Sequence, residues 1–197
     1  MSTIAASRIK YLQSRICRFD DQLAYKEVYL NFYPSLLLFI SGIIKSKQYA
    51  EELVSDLFIK IWEKRKTLEE IQNFRVYCFV AARNLSINQL EKMRLQRTTS
   101  LDGYQQSLAN PNPDPEQLMI SAEMVRRIYE VVEQLPPRCK LAFKLVKEHG
   151  FKYKEAAEIL EVAEKTIENQ LAIALKKISS VVRFDISRSI PLTANFH

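Results

Sequence analysis

Between positions 165 and 170 the chain sets Lys165, Thr166, Glu168, Asn169 and Gln170, which bring a cation, a hydroxyl, a carboxylate and two carboxamides together. That set suits the reading of base edges. A carboxamide pairs bidentately with adenine, a carboxylate accepts from the cytosine amino group, and lysine meets guanine or phosphate. Lys176 and Lys177, farther along, suit phosphate contact or simple solvation. A second polar set, Arg83, Asn84, Asn88 and Lys92, has the density of arginine, asparagine and lysine that binds phosphates and bases, with Tyr77 nearby as an aromatic or a core residue. A third set, Glu52, Asp56 and Lys60, is charged without any such base-reading pattern. Catalytic chemistry is poorly served: His149 and His197 are the two histidines, and neither neighbours a cysteine or carboxylate constellation. Cys17, Cys78 and Cys139 are odd in number and far apart, so neither a disulfide framework nor a metal site emerges. We therefore expect no enzyme activity, no metal and no cofactor.

The elements that must carry these residues read as helices. Ala156, Ala157, Leu160 and Val162 mark one short helix, and Ile167, Leu171, Ala174, Leu175 and Ile178 recur at helical spacing on the next, a helix-turn-helix pattern with Ala157 at the close approach. Glu164 and the 165–170 set then lie on the outer surface of the second helix, the part that enters a major groove in such motifs. On pattern alone, an ordinary amphipathic helical hairpin is the alternative. Pro136 and Pro137 open, and Gly150 closes, a helix over 138–149. Leu118, Ala122, Val125, Ile128, Tyr129, Val132 and Leu135 form an earlier apolar stripe, completing a four-helix unit.

Upstream, Ala50, Leu53, Val54, Leu57, Phe58, Ile61 and Trp62 fall at successive three-and-four spacings, with Glu51, Glu52, Asp56, Lys60 and Glu63 opposite. A helix over 74–94 is expected to carry Tyr77, Val80, Ala81, Leu85 and Leu90 inward and its basic and amide residues outward. Between the halves, residues 97–116 are rich in proline, glycine and short polar side chains, so no continuous helix crosses them. As a flexible tether, about twenty such residues span roughly 25 Å; a surface loop within one domain is the alternative.

The chain has 197 residues, 47% of them hydrophobic, enough for two small cores, and a formal net charge of +6 that suits a polyanionic partner without requiring one. Three glycines and scarce strand-like alternation make the expected class all-α. The N-terminus lacks a signal-peptide pattern, and the apolar run 36–44 is interrupted by Ser41 and Gly42, so neither export nor a membrane span is expected and a reducing cytoplasm fits best.

The order AEELVSDLFIKIWEKR, then FRVYCFVAARNLSINQLEK, a linker, then VVEQLPPRCKLAFKLVKEHGFKYKEAAEILEVAEKTIENQLAIALKKI resembles bacterial RNA polymerase sigma factors of the extracytoplasmic-function (ECF) group. The resemblance implies two helical domains on a flexible linker: a region 2-like bundle over 19–96 and a region 4-like helix-turn-helix domain over 115–183. Between them lies the linker 97–114, and outside them an extension 1–18 and a tail 184–197 to which nothing is assigned. It implies binding to core RNA polymerase through Glu52, Asp56 and Lys60. It implies capture of a single-stranded downstream promoter element by the loop 66–73 and the helix bearing Tyr77, Arg83, Asn84, Asn88 and Lys92. The upstream element would be read as duplex by the 165–170 set with Lys176 and Lys177. An anti-sigma factor is a further candidate partner.

Two positions depart from the family pattern. Glu161 stands where many relatives have glycine, so either the turn avoids positive φ or it tolerates strain. Ala163 stands where many have a serine N-cap, which forgoes about 1 kcal/mol of capping. A stand-alone DNA-binding regulator or a protein-binding helical adaptor are the competing classes. The first predicts promoter binding without polymerase, and the second predicts insensitivity to Asn169 substitution.

Overall fold

The computed structural model describes residues 4–97 and 119–189, and among these it contains eight α-helices and no strand. They group into two compact units. The first comprises α1 (Ala6–Phe19), α2 (Gln22–Ile43), α3 (Lys47–Glu63) and α4 (Phe74–Arg97), with a 3₁₀ turn, Arg65–Glu70, between α3 and α4. The second comprises α5 (Met119–Glu133), α6 (Pro137–Phe143), most of α7 (Tyr153–Leu160) and α8 (Glu164–Ser189).

Local chemistry sets the helix ends. α1 stops where Asp20 takes a left-handed conformation (φ 51°) and its N–H donates to the Ile16 carbonyl. Asp21 then caps α2, accepting from the backbone N–H groups of Leu23 and Ala24 at 2.9 and 3.1 Å. These bonds, Ala24 first, together with Arg15 hold the Asp21 carboxyl below the usual carboxylate range. The apolar run 36–44 closes α2 and is core, with Leu36, Phe39, Ile40 and Ile44 essentially buried. Among the described residues no helix is long and apolar enough to cross a membrane.

The stripe expected on α3 is the one buried: Ala50, Leu53, Val54, Leu57, Phe58 and Ile61 face the core and Trp62 is half-buried. Tyr25 donates its hydroxyl to the Phe58 carbonyl at 2.6 Å, and burial pushes its phenol up to about 12. α4 departs from expectation. Its buried residues are Phe74, Val76, Cys78, Phe79, Ala82 and Ser86, whereas Tyr77, Val80, Ala81 and Leu85 are only half-buried and Leu90 is 40% exposed. The inward face is rotated because small residues sit where α4 packs: Ala82 fills little space, and Ser86 hides its hydroxyl by donating to the Ala82 carbonyl at 2.8 Å. Phe39 meets Phe79 at 5.0 Å and Phe32 meets Phe74 at 5.5 Å, anchoring α4 on α2.

In the second unit Val132, Leu135, Cys139 and Ala174 form a buried cluster, flanked by Ile128, Phe143 and Ile178. Val125 and Tyr129, expected on the same stripe, are 41% and 47% exposed, and Leu175 of α8 is 44% exposed. A helix this amphipathic buries fewer than all its apolar positions. Leu118 lies outside the described residues, as do 98–114 of the linker and 190–197 of the tail, whereas 184–189, expected to belong to the tail, continue α8. The helix expected over 138–149 divides: α6 ends at Phe143 and the chain continues as a π-helical turn, Lys144–Glu148, closed by the His149 N–H on the Lys144 carbonyl at 2.9 Å. The wider turn coincides with burial of the Lys144 side chain, whose Nζ lies 2.9 Å from Glu133 Oε1. Burial disfavours the Glu133 charge, but Lys144 and Lys140 outweigh it and hold the carboxyl below its ordinary range. Gly150, at φ 69°, ends the segment as the expected cap.

Candidate nucleic-acid and polymerase interface

The outer face of α3 carries Glu52, Asp56 and Lys60, all exposed and one helical turn apart in succession. Gln48 supports Glu52 through Nε2 at 3.1 Å from Oε1. Ile59, 56% exposed, stands among these charges. Its departure from the buried stripe was the available signal, and sequence reasoning passed over it.

α3 and α4 enclose a shallow surface groove. Along one part Leu57, Lys60, Ile61 and Lys64 face Tyr77, Ala81, Asn84, Leu85 and Asn88. Farther along, Asp56 and Lys60 share the groove with Asn88, Gln89 and Lys92. Asn84, Asn88 and Lys92, all exposed, recur every fourth residue and therefore align along the groove. Lys60, assigned from sequence to a docking face, thus also lines the groove that holds the base-reading candidates. Lys64 joins it and was not singled out. Tyr77 is half-buried and stacks on Phe74 with ring centroids 6.2 Å apart. Burial raises its phenol above the usual range, so it offers a ring face rather than an ionisable group. Arg83 does not line the groove; it is half-buried, and its Nη1 donates to Asn84 Oδ1 at 3.0 Å, orienting that carboxamide.

In the helix-turn-helix segment, α7 opens with Glu155 accepting from the Lys152 N–H at 2.8 Å, half of a capping box. It ends in a Schellman motif: the Val162 N–H reaches the Ala157 carbonyl at 3.0 Å and the Glu161 N–H reaches Glu158 at 3.2 Å. Glu161 adopts φ 53°, so the turn keeps the left-handed residue and tolerates glutamate there. Ala163 precedes α8 and gives its carbonyl to the Thr166 N–H at 2.8 Å, while its methyl caps nothing. The Glu164 and Lys165 N–H groups of that first turn therefore have no side-chain acceptor from Ala163, an arrangement that favours phosphate.

Along α8, Lys165 and Asn169 are exposed, and Thr166, Glu168 and Gln170 are half-buried. Lys165 Nζ lies 2.6 Å from Glu168 Oε2, a hydrogen bond that raises the lysine and ties up part of the carboxylate. Gln170 has its Oε1 buried, so its carboxamide is less available than sequence suggested, leaving Asn169 as the most open amide. Lys176 and Lys177 are exposed one to two turns later. Among the described residues no cluster of histidine, cysteine, aspartate and glutamate has the geometry to hold a metal.

These two units correspond to known modules. The sigma-70 region 2 family model matches residues 28–96, and the sigma-70 region 4 model matches residues 125–178. The chain is similar to the ECF RNA polymerase sigma factor SigX of Bacillus subtilis (strain 168), at 21% identity over 170 residues, 82% of this chain and 87% of that protein. Its fold is similar to that of the sigma factor RpoE of Bartonella quintana, solved with the anti-sigma factor NepR. That likeness has a TM-score of 0.66 and 24% identity over 82% of this chain and 98% of that one. It is also similar in fold to CnrH, solved with the cytosolic domain of CnrY, with a TM-score of 0.58 and 16% identity over 90% and 99% of the two chains. With region 2 and region 4 in order on one all-helical chain, the protein belongs to the sigma-70 family, as a transcription-initiation sigma factor of the ECF group.

Proposed function

We propose that this sigma factor binds core RNA polymerase through the outer face of α3, directs it to specific promoters and assists strand separation there. The observation that carries the reading is the α3–α4 groove, where Asn84, Asn88 and Lys92 align opposite Lys60. A separated strand exposes base edges and π faces together with its phosphates. Aligned carboxamides, flanking ammonium groups and the Tyr77 ring match all three. Lys60 and Lys64 serve the strand's phosphates in this reading, so Glu52, Asp56 and Ile59 remain as the docking face. The loop 66–73 reads an unstacked base of the downstream element.

Upstream, α8 enters the major groove of duplex DNA. Asn169 makes the principal base contact, Lys165, Lys176 and Lys177 hold phosphate, and Thr166, Glu168 and Gln170 shape the approach. The Lys165–Glu168 pair lowers the net positive charge of the reading face, which suits a subunit that engages promoters only as part of polymerase. Functional boundaries at 19–96 and 115–183, joined by a tether at 97–114, let the two modules reach separate promoter elements. Because the structural relatives were solved with NepR and CnrY, an anti-sigma partner covering these same faces is part of the proposal. The protein works in the cytoplasm, performs no bond chemistry and needs no cofactor.

The test is co-purification with core polymerase. Glu52→Arg combined with Asp56→Arg should weaken association while the helical content stays that of the wild type. Undiminished association with a folded variant refutes the docking face.

A further inference from the structure

The N-terminal helix α1 contributes nothing to the faces proposed above, yet its polar side chains converge on the loop 66–73. Gln13 is 1% exposed, and its Nε2 donates to the carbonyls of Leu68 at 2.6 Å and Ile71 at 3.1 Å. Lys10 Nζ reaches the same Ile71 carbonyl at 3.1 Å. One turn on, Cys17 Sγ donates to the Lys66 carbonyl at 3.0 Å, and Lys66 Nζ returns to the Cys17 carbonyl at 3.2 Å. Arg18 pairs with Glu69 at 3.0 Å. Positions 10, 13 and 17 share one face of α1, so the helix meets the loop as a row of donors.

The 3₁₀ turn ends at Glu70, where the Ile71 N–H closes it on the Leu68 carbonyl at 3.2 Å, so Gln13 adds a second donor to that carbonyl and also reaches the Ile71 carbonyl beyond the turn. A buried carboxamide is destabilising unless it is hydrogen-bonded, and packing alone would be served by leucine or methionine. Here its Nε2 donates to two loop carbonyls although its Oε1 is buried without a hydrogen-bond partner, and Leu68, fully buried, pins the middle of the loop. What remains exposed is Lys66, Thr67, Glu70, Gln72 and Asn73. The loop is thus held from behind by α1 and presents a polar edge in front.

We infer that Gln13, supported by Lys10 and Arg18, is a positioning residue that fixes the backbone of 66–73 and thereby sets promoter selectivity at the downstream element. The selectivity half rests on the proposed reading of this loop as the base-capturing segment. Gln13 touches no DNA in this account. It acts by holding one loop conformation, so that an incoming base meets a preformed edge instead of ordering one.

The experiment uses the full chain and its complex with core polymerase, comparing wild type with Gln13→Met, which keeps the volume and removes both donors. Amide hydrogen exchange should accelerate about tenfold across 66–73 and not in α2, as expected for losing two hydrogen bonds locally. In run-off transcription over promoters varied one base at a time, discrimination at the downstream element should fall about tenfold, on the scale of one base contact. Discrimination at the upstream element should not change. A general folding defect would instead lower every promoter equally and overturn the inference, as would unchanged exchange in 66–73. If Gln13→Met does not fold, Lys10→Ala with Arg18→Ala, both at exposed positions, carries the same expectations at about threefold. Faster exchange with unaltered discrimination also overturns it, provided Gln72→Ala does alter discrimination. If Gln72→Ala leaves discrimination intact as well, the loop's role as base reader falls and takes the selectivity half with it, while the exchange data still decide the positioning half.

Discussion

Glu161 sits in the turn of the helix-turn-helix at φ 53°, in the C′ position of a Schellman motif that glycine normally fills. A side chain bearing Cβ there costs roughly 1–2 kcal/mol relative to glycine. Glycine gives back roughly 0.5–1 kcal/mol through the greater freedom of its unfolded chain. The balance predicts that Glu161→Gly is more stable than Glu161→Ala by about 0.5–1 kcal/mol, both variants lacking the carboxylate. Glu161→Ala removes the glutamate side chain but keeps Cβ, so it should gain none of this. The glycine–alanine difference isolates the backbone from whatever the carboxylate contributes. Calorimetry on the full chain reads the effect as a rise of about 2–4 °C per kcal/mol for a protein of this size. If the alanine variant proves as stable as the glycine variant, φ at Glu161 is not what limits this turn, and the reasoning is refuted.

Three further outcomes follow from the geometry. Ala163→Ser should place an acceptor at the start of α8 and raise stability by about 1 kcal/mol in thermal unfolding; no gain would mean the α8 N-terminus is satisfied in another way. Glu133→Gln should destabilise by about 2 kcal/mol in denaturant titration, because it strands the buried Lys144 ammonium, and Glu133→Gln with Lys144→Met should recover much of that loss. Asp21, whose carboxyl is held below its unfolded value, contributes stability that is full above the ordinary carboxylate range and lost as pH falls through its folded pKa. Asp21→Ala should therefore be less stable than wild type at pH 7, and the gap should narrow in strong acid as the charge-dependent part is lost. An undiminished gap in acid contradicts the assignment.

Helix α3 was legible from sequence because its buried residues are large and apolar and nothing else on the chain repeats so regularly. α4 was not, since hydropathy favours Tyr77, Val80 and Leu85 over Ala82 and Ser86, whereas close packing selects small residues whatever their polarity. The π-helical turn at Lys144–Glu148 leaves no trace in a 3.6-residue pattern. The function of α1 was equally hidden: Gln13 and Lys10 are polar residues in an amphipathic helix, and only the fold brings them to carbonyls more than fifty positions away. For the candidate site, residue types were readable but their grouping was not. Lys60 and Asn88 come from separate sequence blocks and share one groove only because α3 packs on α4. Gln170 shows the opposite limit, a residue of the right chemistry whose carbonyl oxygen turns out to be buried.

The central claim is that this chain confers promoter choice on polymerase. The most direct measurement is run-off transcription by bacterial core polymerase, with and without the purified chain, over a library of genomic promoters. Transcripts from a defined subset of promoters are expected only when the chain is present, with Asn84→Ala abolishing most of them. Equal transcription with and without the chain, in the absence of any inhibitor, would contradict it.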